Sequence, residues 1–375
     1  MAEAFCFLQE SADPLTGNKG EWSEVYALLK LLADGKVHAG DENLNKLREY
    51  YPIVSVLRKQ IRDYVYKPDK EQGNIVIFED REERLRLPVS EFAKETETLL
   101  EAIKAVRGKE SKGSFPIPNT EKFMRKIGCD RIKAPSSDKA DIFVCIHDIS
   151  NQTNRELGFS IKSQLGSAST LLNASPATNF NYRIIGKNLS KEDVDNFNKI
   201  DSHVDRMKAL LEAGCDFEFD RPCNDTFRNN LMFIDGNMES FLAECLKIYN
   251  TTSLNKVKDI VEEVEKNNPL NFGGKNVRDF YEMKMKHLLL DAAMGMMPSK
   301  MWNGQYTSNG GYLVVKNDGD LVCYHFYNIN DVQKYLYVNT KFENGGRKKH
   351  KFGNLYHNEE GQVCIKLNLQ IRFTH

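Results

Sequence analysis

Apolar residues in the segment EWSEVYALLKLLAD recur at helical spacing: Trp22, Val25, Leu28, Leu29 and Leu32. That period predicts a helix from Glu21 to about Asp34, stopped by Gly35. A second short helix is predicted from Asp41 in DENLNKLREYY. The period then falls to two. IVSVLRKQIRDYVY, GNIVIFED and RLRLPV alternate as the strands of an antiparallel ribbon. Ser90 opens a long amphipathic helix, SEFAKETETLLEAIKAVRG, and GKESKGSFPIPN reads as a linker or ordered loop. Asn119 is expected to cap NTEKFMRKIG, which Gly128 ends.

Two strands follow, ADIFVCIHD and ELGFSIKS, joined by the polar turn ISNQTNR, with NFNYRIIG as a third. From Ser190 to about Met297 the pattern is mainly helical, and Ser190 and Asp193 have capping-box spacing. From Met301 onward Gly, Asn, Tyr and alternating apolar residues dominate. GYLVVKNDGDLVCYHFYN predicts a hairpin turning at Asp318-Gly319, and GQVCIKLNLQIRF predicts a strand. The fold class implied is mixed α/β, of the α+β kind: a mixed sheet flanked by helices.

Composition narrows the functional classes. The 375 residues suggest two or three domains, and 41% hydrophobic content supports real cores. A net charge of −1 argues against a polybasic DNA coat but leaves room for a local basic groove. No apolar run approaches the ~20 residues of a membrane span. The N-terminal stretch lacks the basic and apolar regions of a secretory signal, so a cytoplasmic location is expected. Eight scattered cysteines with no CxxC pair argue for reduced thiols rather than zinc.

The chemistry concentrates in GFSIKSQLGS, where an apolar strand carries Lys162 and then breaks into Ser, Gln and Gly. If the two central strands pair antiparallel, Asp141 at the start of one lies beside Lys162 at the end of the other. Alternation puts Lys162 with Ser160 on the face opposite Ile161. Phosphodiester hydrolysis wants such a pair: carboxylates to hold Mg²⁺ and a lysine to position the attacking water. The plainer reading is a strand-end lysine salt-bridged to Asp141. Glu21 and Glu24 share a face of the first helix, where Glu24 would reach the same metal or simply favour the helix dipole. His147 and Asp148 end their strand without a nucleophile and read as a hydrogen-bonded turn.

With these residues the chain resembles the PD-(D/E)XK nuclease superfamily, and more closely the HpaII-type restriction endonuclease family. The matching segments are NKGEWSEVYALLKLLADGKVHAGDENLNK, DIFVCIHD, GFSIKSQLGSASTLLNASPATNF, NGGYLVVKNDGDLVCYHFYN and IKLNLQIRF. The resemblance implies a Mg²⁺-dependent type II enzyme cutting double-stranded DNA, with CCGG as the family namesake's site. Asp141 matches the superfamily's first acid and Lys162 its lysine. Ser160 stands where the second acid is expected, which leaves Glu24 as the substitute metal ligand beside Asp141. The organisation expected is a nuclease core over 1–186, a helical segment over 187–297 and a β-rich recognition segment over 298–375.

DNA contacts are expected from Ser163, Gln164 and Ser167, unless these form a plain loop, and from Arg347, Lys348 and Lys349. In that basic stretch lysines would neutralise phosphates and Arg347 would pair with guanine, the alternative being a solvated loop. A second basic stretch runs from Lys122 to Lys139, while Asn303, Gln305 and Asn309 suit base edges or turns equally. A palindromic site implies a homodimer, and restriction implies a companion cytosine methyltransferase. Two alternatives remain open: a structure-directed repair nuclease, and a non-catalytic sequence-specific DNA-binding protein with a degenerate nuclease core.

Overall fold

A computed structural model describes residues 14–374 except 59–62, 109–112, 134–139, 149–151, 275–276 and 307–308. The chain forms two compact units, one of residues up to 169 with 307–332, the other of 170–306 with 333–374.

The first unit runs β1 (Thr16–Gly17), α1 (Lys19–Asp34), β2 (Lys36–Gly40), β3 (Lys46–Arg58), β4 (Tyr64–Asp69), β5 (Asn74–Glu79), β6 (Glu82–Pro88), α2 (Val89–Ala105), β7 (Phe115–Pro116), α3 (Pro118–Lys126), β8 (Ile142–Asp148) and β9 (Thr153–Ser163). The second begins with β10 (Thr170–Leu172), β11 (Asn179–Ile185), α4 (Lys191–Lys199), α5 (His203–Glu212), β12 (Asp216–Pro222), α6 (Asp225–Ile234), α7 (Met238–Thr251), α8 (Val257–Asn267) and α9 (Val277–Met294). The chain then returns to the first unit as β13 (Gly311–Val315) and β14 (Leu321–His325). Helix α10 (Ile329–Val338) leads back to β15 (Thr340–Phe342), α11 (Arg347–His350), β16 (Leu355–His357), β17 (Val363–Asn368) and β18 (Ile371–Phe373).

Among the described residues the first unit is built on a nine-stranded sheet ordered β2-β14-β13-β9-β8-β3-β4-β5-β6. The long β3 pairs with β2 through its first half and with β8 and β4 through its second. The predicted ribbon is the antiparallel run β3 to β6. Helix α1 lies on this sheet because its ends are fixed and its stripe is apolar. Asn18 Oδ1 accepts the Glu21 N–H at 3.0 Å while Glu21 Oε2 accepts the Asn18 N–H at 2.9 Å. Gly35 ends it with φ 61°, a left-handed position that glycine takes without strain. Trp22, Val25, Leu28, Leu29 and Leu32 join a core with Val56, Ile142, Phe159, Leu313 and Val315, each worth about 1.5–3 kcal/mol over exposure.

Three expectations that touch the first unit need correction. No helix starts at Asp41. Its carboxylate Oδ1 accepts the N–H groups of Asn43 and Asn45, both at 2.8 Å, making a turn that feeds β3. Asn119 lies inside α3, which Ile117 precedes as the cap. The hairpin expected with the C-terminal recognition segment is instead inserted between β9 and β2, parallel to both neighbours. The physical reason is that GYLVV has no polar face. Every residue of β13 is buried, as an internal strand of a covered sheet requires.

The second unit holds a four-stranded sheet ordered β12-β11-β17-β16 and a three-stranded one ordered β10-β18-β15. Strand β12 interrupts the helical middle of the chain. GQVCIKLNLQIRF, expected as one strand, breaks after Asn368, whose side-chain amide donates to Ser175 O at 2.9 Å and Asn179 Oδ1 at 2.7 Å. The break sends β17 and β18 to different sheets. Ser190 and Asp193 form the expected capping box of α4.

Candidate active site

Strands β8 and β9 pair antiparallel from Ile142 opposite Phe159 to Asp148 opposite Thr153. Asp141 extends that ladder by one residue, donating its backbone N–H to Phe159 O at 2.9 Å. Its side chain folds back onto β9, and Oδ2 accepts the Ile161 N–H at 2.6 Å. The acid at the first strand's start is thereby fixed against the last turns of the second.

Register on the other side of β9 sets the rest of the site. Tyr312 of β13 stands beside Ser160, and Val314 stands beside Lys162. Leu313 and Val315 join the core with Phe159, and Ile161 packs against it, so Ser160, Lys162 and Tyr312 share the opposite face. Lys162 Nζ lies 5.2 Å from the centre of the Tyr312 ring, within cation–π range. Burial pushes the Lys162 ammonium below the ordinary lysine range, opposed by the negative charge of Asp141 and then by that of Glu24. Both carboxylates therefore act on one lysine. Burial, with Asp141 second, holds the Tyr312 phenol protonated well above its usual range.

The two acids of α1 have different employment. Glu21 is consumed by the capping box and by Lys133, whose Nζ is 2.9 Å away. Glu24, one turn further on, is 14% exposed, with Oε2 3.7 Å from the guanidinium of Arg58. Arg58 is 1% exposed and donates to the Ile132 carbonyl. Its role was missed from sequence. The signal was present, because Arg58 keeps the inward register of Ile53 and Val56, the pattern shifting by one residue at a bulge. Tyr312 was missed because the place of its correctly expected hairpin beside β9 was not foreseen.

The polar residues after Lys162 are largely spent within the protein. Ser23 Oγ donates to Lys19 O at 2.7 Å, so the 2.7 Å contact with Ser163 Oγ has Ser163 as donor. Gln164 donates its N–H to Val315 O and accepts the Asn317 N–H through Oε1, both at 2.9 Å. Gly166 approaches α1 so closely that a Cβ there would stand 3.1 Å from the Gly20 nitrogen. Ser167 is exposed. Asn309, a candidate base reader, accepts the Gly158 N–H at 3.0 Å, and Asn303 accepts the Gln305 N–H at 3.0 Å. His147 Nδ1 is 2.8 Å from Asn154 Oδ1, the turn-like contact expected. Arg347, Lys348 and Lys349 belong to the second unit, where Arg347 donates to the Asp201 carbonyl and both lysines are exposed. Of the second basic stretch, 134–139 lie outside the described residues.

No group of three or more His, Cys, Asp or Glu side chains suited to a metal occurs among the described residues. Mg²⁺ needs no such group, since it keeps several waters and takes one or two carboxylates plus substrate phosphate. Asp141 and Glu24, both acting on Lys162 with the Ser160 hydroxyl on its strand, fit that demand. The seven described cysteines are free thiols, and no described helix is long and apolar enough to cross a membrane.

The model of the HpaII restriction endonuclease family matches residues 18–373. The type II restriction enzyme HpaII of Haemophilus parainfluenzae is 42% identical over 360 residues, covering 96% of this chain and 98% of its own length. No solved structure matches the chain.

Proposed function

Because the chain belongs to the HpaII restriction endonuclease family and is a type II site-specific deoxyribonuclease, we propose that Asp141, Glu24 and Lys162 form its hydrolytic centre and that it cuts double-stranded DNA at CCGG. The observation that carries the centre is the Asp141 carboxylate held by the Ile161 N–H, next to Lys162 in the chain, with the charges of Asp141 and Glu24 both acting on that lysine. Asp141 and Glu24 would hold Mg²⁺, which when bound supplies phosphate polarisation and a more acidic water. Lys162 places its ammonium against the phosphate oxygen and orients the attacking water. The water oxygen bonds to phosphorus as the bond to the leaving oxygen breaks, and the ammonium offsets the charge that accumulates between. Tyr312 keeps Lys162 on the correct side of the sheet. Ser160 supplies a neutral oxygen where an acid is expected. Arg58 holds Glu24 in place through its guanidinium.

DNA is held by Ser167 and by the basic stretch of Arg347, Lys348 and Lys349, while Ser163 and Gln164 shape the loop rather than read bases. The enzyme works in the cytoplasm as a homodimer, beside a cytosine methyltransferase that masks the host's own sites. Digestion of a sequenced plasmid with Mg²⁺, followed by end mapping, tests the reading. Discrete fragments ending within CCGG are expected, and Lys162→Ala should lose cutting while largely keeping DNA binding. Preference for branched DNA would replace it with repair. Site-specific binding without cutting in Mg²⁺ or Mn²⁺ would make Ser160 the mark of a degenerate core.

A further inference from the structure

Resting on the reading of the chain as a DNA-cutting enzyme, we infer that a cavity in the second unit is a phosphate-binding site for the DNA backbone, completed by Lys351 and Lys366. The cavity measures about 490 Å³, and its charged lining is Arg206, Arg347, Lys348, Lys351 and Lys366 against one carboxylate, Asp201.

The floor is a buried cation left without a charged contact. Arg206 is 1% exposed. Its guanidinium donates to the carbonyls of Phe197 and Asn198, both at 3.0 Å, to Ile200 O at 2.7 Å, to Gly353 O, and to Asn354 Oδ1 at 2.8 Å. Every one of these acceptors is neutral. Hydrogen bonds satisfy the donors, while the negative charge of Asp201 offsets the buried guanidinium only in part, and an incompletely balanced buried charge is costly. Burial first, and then the positive charge of Arg347, lower the Arg206 guanidinium from its usual range, and the negative charge of Asp201 opposes them. Burial lowers the His203 imidazole from its usual range, opposed by its hydrogen bond with Asn250, whose Oδ1 is 2.7 Å from Nε2, and aided by the same two arginines.

The rim carries cations with no acid to satisfy them. Among the described residues Lys348, Lys351 and Lys366 make no ion pair. Lys366 Nζ stands 5.2 Å from the centre of the Tyr356 ring, whose hydroxyl is tied 2.6 Å from Asn181 Oδ1. Arg347 is anchored to the Asp201 carbonyl. That fixes its guanidinium in the cavity wall rather than freeing it to reach a guanine edge. Compact ammonium groups around a polar cavity suit a phosphate group, and the volume exceeds a lone phosphate. A backbone phosphate and a free nucleotide share this chemistry, and the abundance of duplex around a DNA-cutting enzyme favours the first.

Each phosphate neutralised steepens the dependence of log affinity on log salt by about 0.9. Binding of a duplex containing CCGG and of one lacking it is measured across a salt series without divalent cation. Lys351→Ala/Lys366→Ala should flatten the slope by roughly 0.9, the share of one backbone phosphate, equally on both duplexes. Lys351→Arg/Lys366→Arg should keep the original slope. Unchanged slopes in the alanine variant, a loss confined to the CCGG duplex, or an arginine variant as impaired as the alanine one would each overturn the backbone assignment. Thermal melting with a deoxynucleoside monophosphate is the second arm. Protection of the wild type but not of the alanine variant, with unchanged slopes, would assign the phosphate to a free nucleotide. Absence of both effects would remove the phosphate site altogether. Plasmid cutting by the same wild-type preparation keeps the two readings apart. A wild type that cuts while the slopes stay fixed sinks only the cavity, whereas a wild type that cuts nothing sinks the enzyme reading.

Discussion

In the proposed centre, the lysine that would act as a cation is placed where burial works against its charge, and two acids restore part of what burial removes. This balance has a kinetic consequence. The Lys162 ammonium, already below the ordinary lysine range, is lost at lower pH than a surface lysine would be. Single-turnover cleavage should therefore show an alkaline limb beneath the usual lysine value of about 10.4. Lys162→Arg, which keeps its charge in that range, should remove the limb at whatever residual rate it supports, and a limb unmoved by that change would exclude Lys162 as its source. Arg58 invites a second test at this scale. Removing a buried partner leaves the other charge exposed to the low dielectric, but Glu24 retains some solvent, so Arg58→Met should cost about 1–3 kcal/mol in urea unfolding. It should also raise the Mg²⁺ concentration needed for half-maximal cutting, and Arg58→Lys should recover part of both. A variant with unchanged metal dependence would reduce Arg58 to a packing residue.

At the scale of elements, the hairpin β13–β14 brings Tyr312 beside Lys162, and it carries its own pH dependence. His325 ends β14, pairs with Gly311, and packs near Tyr51 and Phe159. Its Nδ1 accepts the Tyr327 N–H at 3.0 Å, and burial pushes the imidazole down to about 4 from an ordinary 6.5. The unfolded chain takes up a proton first as pH falls. The stability due to neutral His325 is therefore complete above about 6.5 and drains away by about 4, amounting to no more than about 3 kcal/mol. His325→Phe should flatten the urea-unfolding stability over that window, and an unaltered profile would contradict the shift. The same hairpin shows what the sequence could and could not disclose. Its strands and its Asp318-Gly319 turn were legible from alternation and turn chemistry, as were α1, α2, β8 and β9. Its place beside β9 was not, because a parallel pairing across nearly 150 residues leaves no local trace. Asp41 misled for the opposite reason: a residue that caps helices also closes turns, and only the backbone around Leu44, at φ 66°, separates the two. Lys162 and Asp141 were legible because their strands are consecutive. The company of Arg58 and Tyr312 was not, since both arrive from distant segments.

For the molecule as a whole, a net charge of −1 conceals a sharp division of labour: acids gather around Lys162 in one unit, and cations line the Arg206 cavity in the other. Each chain offers one proposed Asp141–Lys162 centre, and a duplex cut has two strands to sever. If two copies act together on a palindromic site, their centres are used once each. Co-expression of wild-type and Lys162→Ala chains, with different tags to isolate the mixed species, tests this directly. A mixed dimer holds one competent centre, so it should convert supercoiled plasmid to nicked circles and accumulate them, where the wild type linearises. A chain that acts alone and turns from strand to strand predicts otherwise. No mixed species would be recovered, and the wild-type chains in the mixture would linearise plasmid in proportion to their own concentration. Accumulated nicks thus require two copies on one site, and their absence alongside undiminished linearisation would assign both cuts to a single chain.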